Sequence, residues 1–337
     1  MKRVICLIII ILIFTTNISF ANTEEDVINS QMDSFNISNF INEANKYTED
    51  VLEDIDIGEL LNDAIKGEIN NSELLKNIFP LLGDEIKEAI KVMVSIIIIV
   101  LIHSVFKSIA DNLNNKSVSQ ITYYVQYILI ATVIMSNFTN IIDLLKDTIT
   151  NMTGFLQSLF PLLMTLMLAS GSVVSVNMIQ PIILFIINLI SNIFQTIIIP
   201  AILIGTALAI VSKISDRIQI DKLSKFIKSS SIWVIAILLT IFVGVLSIEG
   251  TLGSKVLGDA VDTVIGCSSI LKNAIGIVGV IVVIAICILP IIKLAVITII
   301  YHFTAAICEP IADSKVISLI SQMADTFKIL LAILCAI

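Results

Sequence analysis

The sequence predicts an all-α, polytopic helical membrane protein with a cleaved signal peptide and a small acidic helical ectodomain. Three observations carry this. Of the 337 residues, 57% are hydrophobic and only 14% charged, where soluble domains run to ~25% charged. Several apolar runs approach the ~20 residues that a helix needs to cross a ~30 Å hydrocarbon core. The charge is unevenly placed, with residues 22–91 holding 17 Asp and Glu against 5 Lys. A soluble chain of this size has too little interior to hide so much apolar surface. No stretch alternates with the period of two that a lipid-facing barrel strand requires.

The first 21 residues read as the signal. Lys2 and Arg3 precede an apolar core from Val4 to Phe14, and Ser19 and Ala21 are small residues suited to cleavage after Ala21. Residues 22–91 then form an acidic extracytoplasmic segment with a net charge of −12. Within it, residues 22–45 are polar enough to predict a loosely ordered leader. From Glu49 to Ile90 apolar residues recur at helical spacing, notably Val51, Ile55, Leu60, Leu61, Ala64 and Ile65, then Leu74, Leu75 and Ile78. Gly67 and Asn70-Asn71 interrupt the pattern and Ser72-Glu73 suits a fresh start, so two amphipathic helices are expected. Their apolar faces fit a partner, the membrane surface or the membrane body itself.

Residues 92–337 make the membrane domain, expected to hold about 7–9 transmembrane helices. Candidate spans are 92–106, 123–142, 154–170, 179–198, 200–211, 232–248, 274–289 and 294–308, with a further apolar run at 329–337. The stretch 179–211 would be about 50 Å long as one helix. Pro200 stands in its middle, so a kinked hairpin is expected there. The positive-inside rule agrees. The loop after Val211 carries Lys213, Arg217, Lys222, Lys225 and Lys228, and five crossings from an outer N-terminus place it in the cytoplasm. The same counting puts Lys293, just after Pro290, at an inner turn.

The residues offer little chemistry. The chain has two histidines, His103 and His302, near the ends of apolar runs, where a His snorkels or bonds a neighbouring helix. The cysteines (Cys6, Cys267, Cys287, Cys308, Cys335) form no CxxC pair. Phosphate-loop, HExxH and GxSxG motifs are absent. The sequence therefore predicts no enzyme, no cofactor and no metal, and its acidic balance argues against nucleic acid as a partner.

The informative polar feature is Asn188, Asn192 and Gln195, whose spacings of four and three put them on one helix face. Amides cannot face lipid unpaired, so this face either bonds another helix or lines a polar path. Pro161, Pro181, Pro200 and Pro290, with Gly276 and Gly279, suit broken helices as well as ordinary kinks.

The run GDAVDTVIGCSSILKNAIGIVGVIVVIAICILPIIKL, from Gly258 to Leu294, is followed by CEPIAD, from Cys308 to Asp313. Together these resemble the stage III sporulation protein AE family of endospore-forming bacteria. The positions carrying the likeness are Gly258, Asp259, Asp262, Gly266, Gly276, Gly279, Pro290, Lys293, Glu309 and Pro310. Against the family's pattern, the connector from Leu252 to Leu257 is short. The resemblance implies a multi-pass protein of the mother-cell membrane around the forespore. It would be a non-enzymatic part of a channel complex between the two cells, forming or scaffolding the conduit, with no catalytic residues. Its partners would be other membrane proteins of that complex, the lipid bilayer and further copies of itself. The rival reading is an autonomous solute permease, which should show internal repeats. None is convincing between 92–211 and 232–337.

Overall fold

The computed structural model describes residues 24–49, 51, 55–68, 71–112, 116–170, 173–212, 220–249 and 262–336. The predicted signal and cleavage site lie outside these residues. All the regular structure described is helical. The elements are α1 (Glu24–Ser34), α2 (Ile37–Thr48), α3 (Ile57–Lys66), α4 (Asn71–Asn112), α5 (Lys116–Ala169), α6 (Val173–Ile193), a π-helical turn (Phe194–Ile198), α7 (Ile199–Ser212), α8 (Ile220–Glu249), α9 (Asp262–Cys308) and α10 (Ser314–Ala336).

Local chemistry sets the ends of α3. Asp56 caps its N-terminus by accepting from the Gly58 amide at 2.7 Å. At the other end Gly67 takes φ 75°, and the amides of Gly67 and Glu68 reach back to the carbonyls of Ala64 and Asp63. The expected loose leader is instead largely helical. Ile37, Phe40, Ala44 and Thr48 fall on one side of α2 and are buried, and that burial against the rest of the chain outweighs a polar composition.

The second expected amphipathic helix is not separate. It is the start of α4, which runs on through Pro80 into the apolar stretch beyond Val92. Continuity of this kind recurs. The nine apolar runs fall, among the described residues, on six helices long and apolar enough to cross a membrane, and the protein is a multi-pass membrane protein. No turn forms between 142 and 154, because Leu145, Ile149 and Met152 keep helical spacing and bury inward. The hairpin expected at Pro200 is absent as well. The π turn just before it widens the helix where the ring would collide with the preceding carbonyl, so α6 and α7 continue through a bulge. Pro290 and Lys293 lie inside α9 rather than at a turn.

The packing forms two storeys. One apolar core gathers Ile96, Tyr127, Ile134, Phe138, Ile202, Leu294, Tyr301, Phe327 and their neighbours from α4, α5, α7, α9 and α10. The second gathers Phe40, Leu60 and Leu61 of the N-terminal helices with Phe155 and Leu162 of α5 and Leu271, Val278 and Val282 of α9. The two longest helices serve both. At 54 and 47 residues, α5 and α9 are about 80 and 70 Å long. They run antiparallel, since Leu159 meets Gly279, Met152 meets Cys287 at 3.7 Å, and Asn137 donates to the Tyr301 hydroxyl at 3.2 Å.

Candidate functional site

That alignment sets Lys293 of α9 level with the middle of α5, where one core gives way to the other. Charged residues gather at this height. Glu85 and Glu88 stand three apart, hence on one face of α4, and both reach Lys293: its Nζ is 3.3 Å from Glu85 Oε2 and 3.2 Å from Glu88 Oε2. Lys91 adds a positive charge, and Asn137 and Asn140 of α5 complete a polar cleft of about 260 Å³ between α4, α5 and α9. Asp143, Lys146 and Asp147 occupy the next two turns of α5. An unpaired Lys well inside a membrane helix costs roughly 2.5–3.5 kcal/mol. Here two carboxylates neutralise it, and the Glu85 side chain is 13% exposed. The cleft can hold water and small polar groups between apolar storeys.

A second ionic cluster ties the far end of α4 to the turn after α9. Asp313 accepts from Lys107 Nζ and lies 3.3 Å from His103 Nε2. This is the neighbour-bonding role expected of His103. The turn itself is built by the amides of Ile311 and Ala312 returning to the Cys308 carbonyl. A third polar contact sits between α8 and α10, where Lys228 donates to Thr326 Oγ1 at 2.6 Å.

The amides singled out by spacing do share a face of α6 and the adjoining turn. Asn188 accepts from Gln157 of α5 at 2.7 Å, and Gln195 donates to Thr150 of α5 at 3.3 Å and to Ser191 at 3.4 Å. Asn192 accepts from Thr196 on its own helix at 3.0 Å. Asn188 and Gln195 therefore bond across to α5, beyond the charged level, while Asn192 does not, and Asn188 and Asn192 remain exposed.

The motif residues are scattered along α9. Gly258 and Asp259 lie outside the described residues. Asp262 opens the helix, and Gly266 and Gly276 have open space where a Cβ would sit. Gly279 is a close approach, since a Cβ there would meet Leu159 Cδ2 at 2.8 Å. Pro290 is buried, while Glu309 and Pro310 are exposed in the turn. Sequence reasoning missed Glu85, Glu88, Lys107, Lys228 and Asp313. The usable signal was Lys293 itself, since a Lys flanked by apolar residues must find carboxylates, and Glu85 with Glu88 offers two on one face.

No group of three or more potential metal ligands occurs among the described residues, and none of Cys267, Cys287, Cys308 and Cys335 is in a disulfide. Such a molecule, helical in its described elements and with six helices among them apolar enough to cross a membrane, is a polytopic membrane protein of the packed-bundle kind. The chain belongs to the stage III sporulation protein AE family, whose sequence pattern matches residues 55–256 and 252–337. It is 29% identical to stage III sporulation protein AE of Bacillus subtilis (strain 168), over 79% of this chain and 72% of that relative. No solved structure matches.

Proposed function

We propose that the protein is a non-enzymatic membrane component of a transenvelope channel complex needed for endospore formation. It forms or scaffolds the conduit between mother cell and forespore, from the mother-cell membrane around the forespore. Family membership carries this reading, since the matched pattern covers residues 55–337 with a short overlap near 252–256. The arrangement of polar groups is consistent with it. The charged cleft and the amide face lie in succession along α5, at Asn137 and Asn140 and then at Thr150 and Gln157, and paired polar groups of this kind suit a protein holding a polar passage or a fixed assembly surface. Residues 22–91 form the extracytoplasmic part and 92–337 the membrane domain. The partners are other membrane proteins of the complex.

The test is affinity purification of the intact protein from sporulating cells, after mild detergent extraction, with identification of what accompanies it. Stoichiometric recovery of other sporulation membrane proteins is the expected result. A protein recovered alone, in cells whose sporulation nonetheless depends on it, would overturn the complex and favour the permease.

A further inference from the structure

Every exposed side chain of α5 from Thr132 to Thr165 is polar. Ser136, Thr139, Asp143, Asp147 and Thr150 follow one another at steps of three and four, so they form one stripe along the helix, with Asn140 at its edge. From Thr132 to Gln157 the stripe is about 38 Å long, more than the ~30 Å of a hydrocarbon core.

At the same heights the other helices are apolar outside. Ile299 and Phe303 of α9 flank Tyr301, which Asn137 of α5 reaches. Ile284 lies one turn from Cys287, which meets Met152 of α5. Ile237 and Ile241 of α8 lie within a turn of Leu238, which shares a cavity wall with Ile149 and Met152. All five are more than half exposed. Lipid therefore covers α8 and α9 at the depth where α5 shows hydroxyls, an amide and carboxylates. The hydroxyls can bond the preceding turn, as Thr139 does to the Met135 carbonyl at 2.9 Å, and so tolerate lipid. Asn140, Asp143 and Asp147 need water or polar neighbours.

We propose that this stripe lines a water-filled passage, closed by further copies of the chain, that conducts small cations. Such a passage rests on the protein forming the conduit rather than only scaffolding it. One bundle cannot enclose water on its outer side. The neighbours of the stripe supply the seal. On one side α4 turns Val94 and Ile98 outward, and on the other the π turn and α7 turn Ile197 and Ile204 outward. One apolar flank fits the opposite flank of the next copy, a head-to-tail contact of the kind that builds rings. Copies in one membrane share an orientation, so packing stripe directly on stripe would press Asp143 and Asp147 against their own counterparts. Like charges repel, and the space between them stays wet. Each copy brings two carboxylates there against one amine, Lys146, 3.9 Å from Asp143. Rings of carboxylates select cations.

The experiment uses the full-length protein, its native cysteines replaced by Ser, in vesicles of phosphatidylglycerol and phosphatidylcholine. Ser136→Cys, Thr139→Cys and Thr150→Cys, each alone, should react with a charged thiol reagent that cannot enter lipid, and Ile237→Cys should not. The vesicles should pass K+ in preference to Cl−. Reaction at Thr139→Cys should block that flux, while the reagent leaves flux through the Ile237→Cys protein unchanged. Asp143→Asn with Asp147→Asn, both at exposed positions, should abolish the preference for K+. Unreactive stripe positions would mean that protein or lipid seals this side, and would overturn the passage. So would vesicles without flux, or a flux that modification does not change. A preference for K+ that survives both Asn substitutions would overturn the cation route. Each of these results can occur while the protein still co-purifies with other sporulation membrane proteins, so the passage can fall with the complex intact.

Discussion

A single amine organises the middle of the molecule. Lys293 holds Glu85 and Glu88 of another helix, and its side chain is 26% exposed. Removing it strands two carboxylates, one of them largely buried. Lys293→Met should therefore lower stability by about 2–3 kcal/mol, towards the low end for a broken buried pair because the site is partly open. Adding Glu85→Gln should recover part of that loss, so the two changes should be non-additive in thermal unfolding of the detergent-purified protein. Equal and additive losses would mean that the pair does not interact. The same residue shows what the sequence did and did not disclose. Lys293 was visible in its apolar setting, but the sequence alone suggested a turn beside Pro290. Its acidic partners lie more than 200 positions away, and nothing local in a sequence announces a contact of that range.

At the level of elements, helix type was plain and helix ends were not. Apolar content and 3.6-residue spacing marked most of the apolar helix, but only 329–337 of the last span, Ser314–Cys335. The runs 123–142 with 154–170, 179–198 with 200–211, and 274–289 with 294–308 joined into continuous helices. Proline within a membrane helix is tolerated when a bulge or neighbouring groups absorb it, and the π turn at Phe194–Ile198 is such a device. Helix α1 and most of α2 were mistaken in the other direction. Their polar composition suggested looseness, but Phe40 sits 5.9 Å from Phe155, ring centre to ring centre, and Leu60 and Leu61 are buried beside α9. These faces dock on the chain's own body. Leu60→Glu with Leu61→Glu would put two carboxylates into that core at a cost of several kcal/mol. Limited proteolysis of the variant should release residues 24–66 rapidly while α4 to α10 stay protected. A cleavage pattern like the wild type's would show that the contact contributes nothing.

For the whole molecule, the crossing count changes while its parity survives. Five expected crossings before the basic loop become three helices, α4, α5 and the bulged α6–α7, and either odd number puts that loop on the side opposite the N-terminus. The pairing of Lys107 with Asp313 fits the same arrangement, because it joins the α4 exit to the α9 exit on one side. Position 222, on the exposed side of α8, should therefore resist a membrane-impermeant thiol reagent in intact cells, and position 30 should react, each as a lone engineered cysteine. Labelling at 222 without labelling at 30 would invert the topology. The family likeness was legible because its residues cluster in one stretch. The two-storey packing was not, since it depends on which distant helices share a height.

The docking of the first helices on α9 also sets a timetable. Ser268 donates to Gln31 across 237 positions. At ~5–20 residues per second of translation, roughly 10 to 50 s separate the synthesis of these partners. During that interval the apolar sides of α2 and α3 exist without the surface they end on. A holding chaperone that met the emerging N-terminus would have a defined task with a defined end, since the arrival of α9 displaces it.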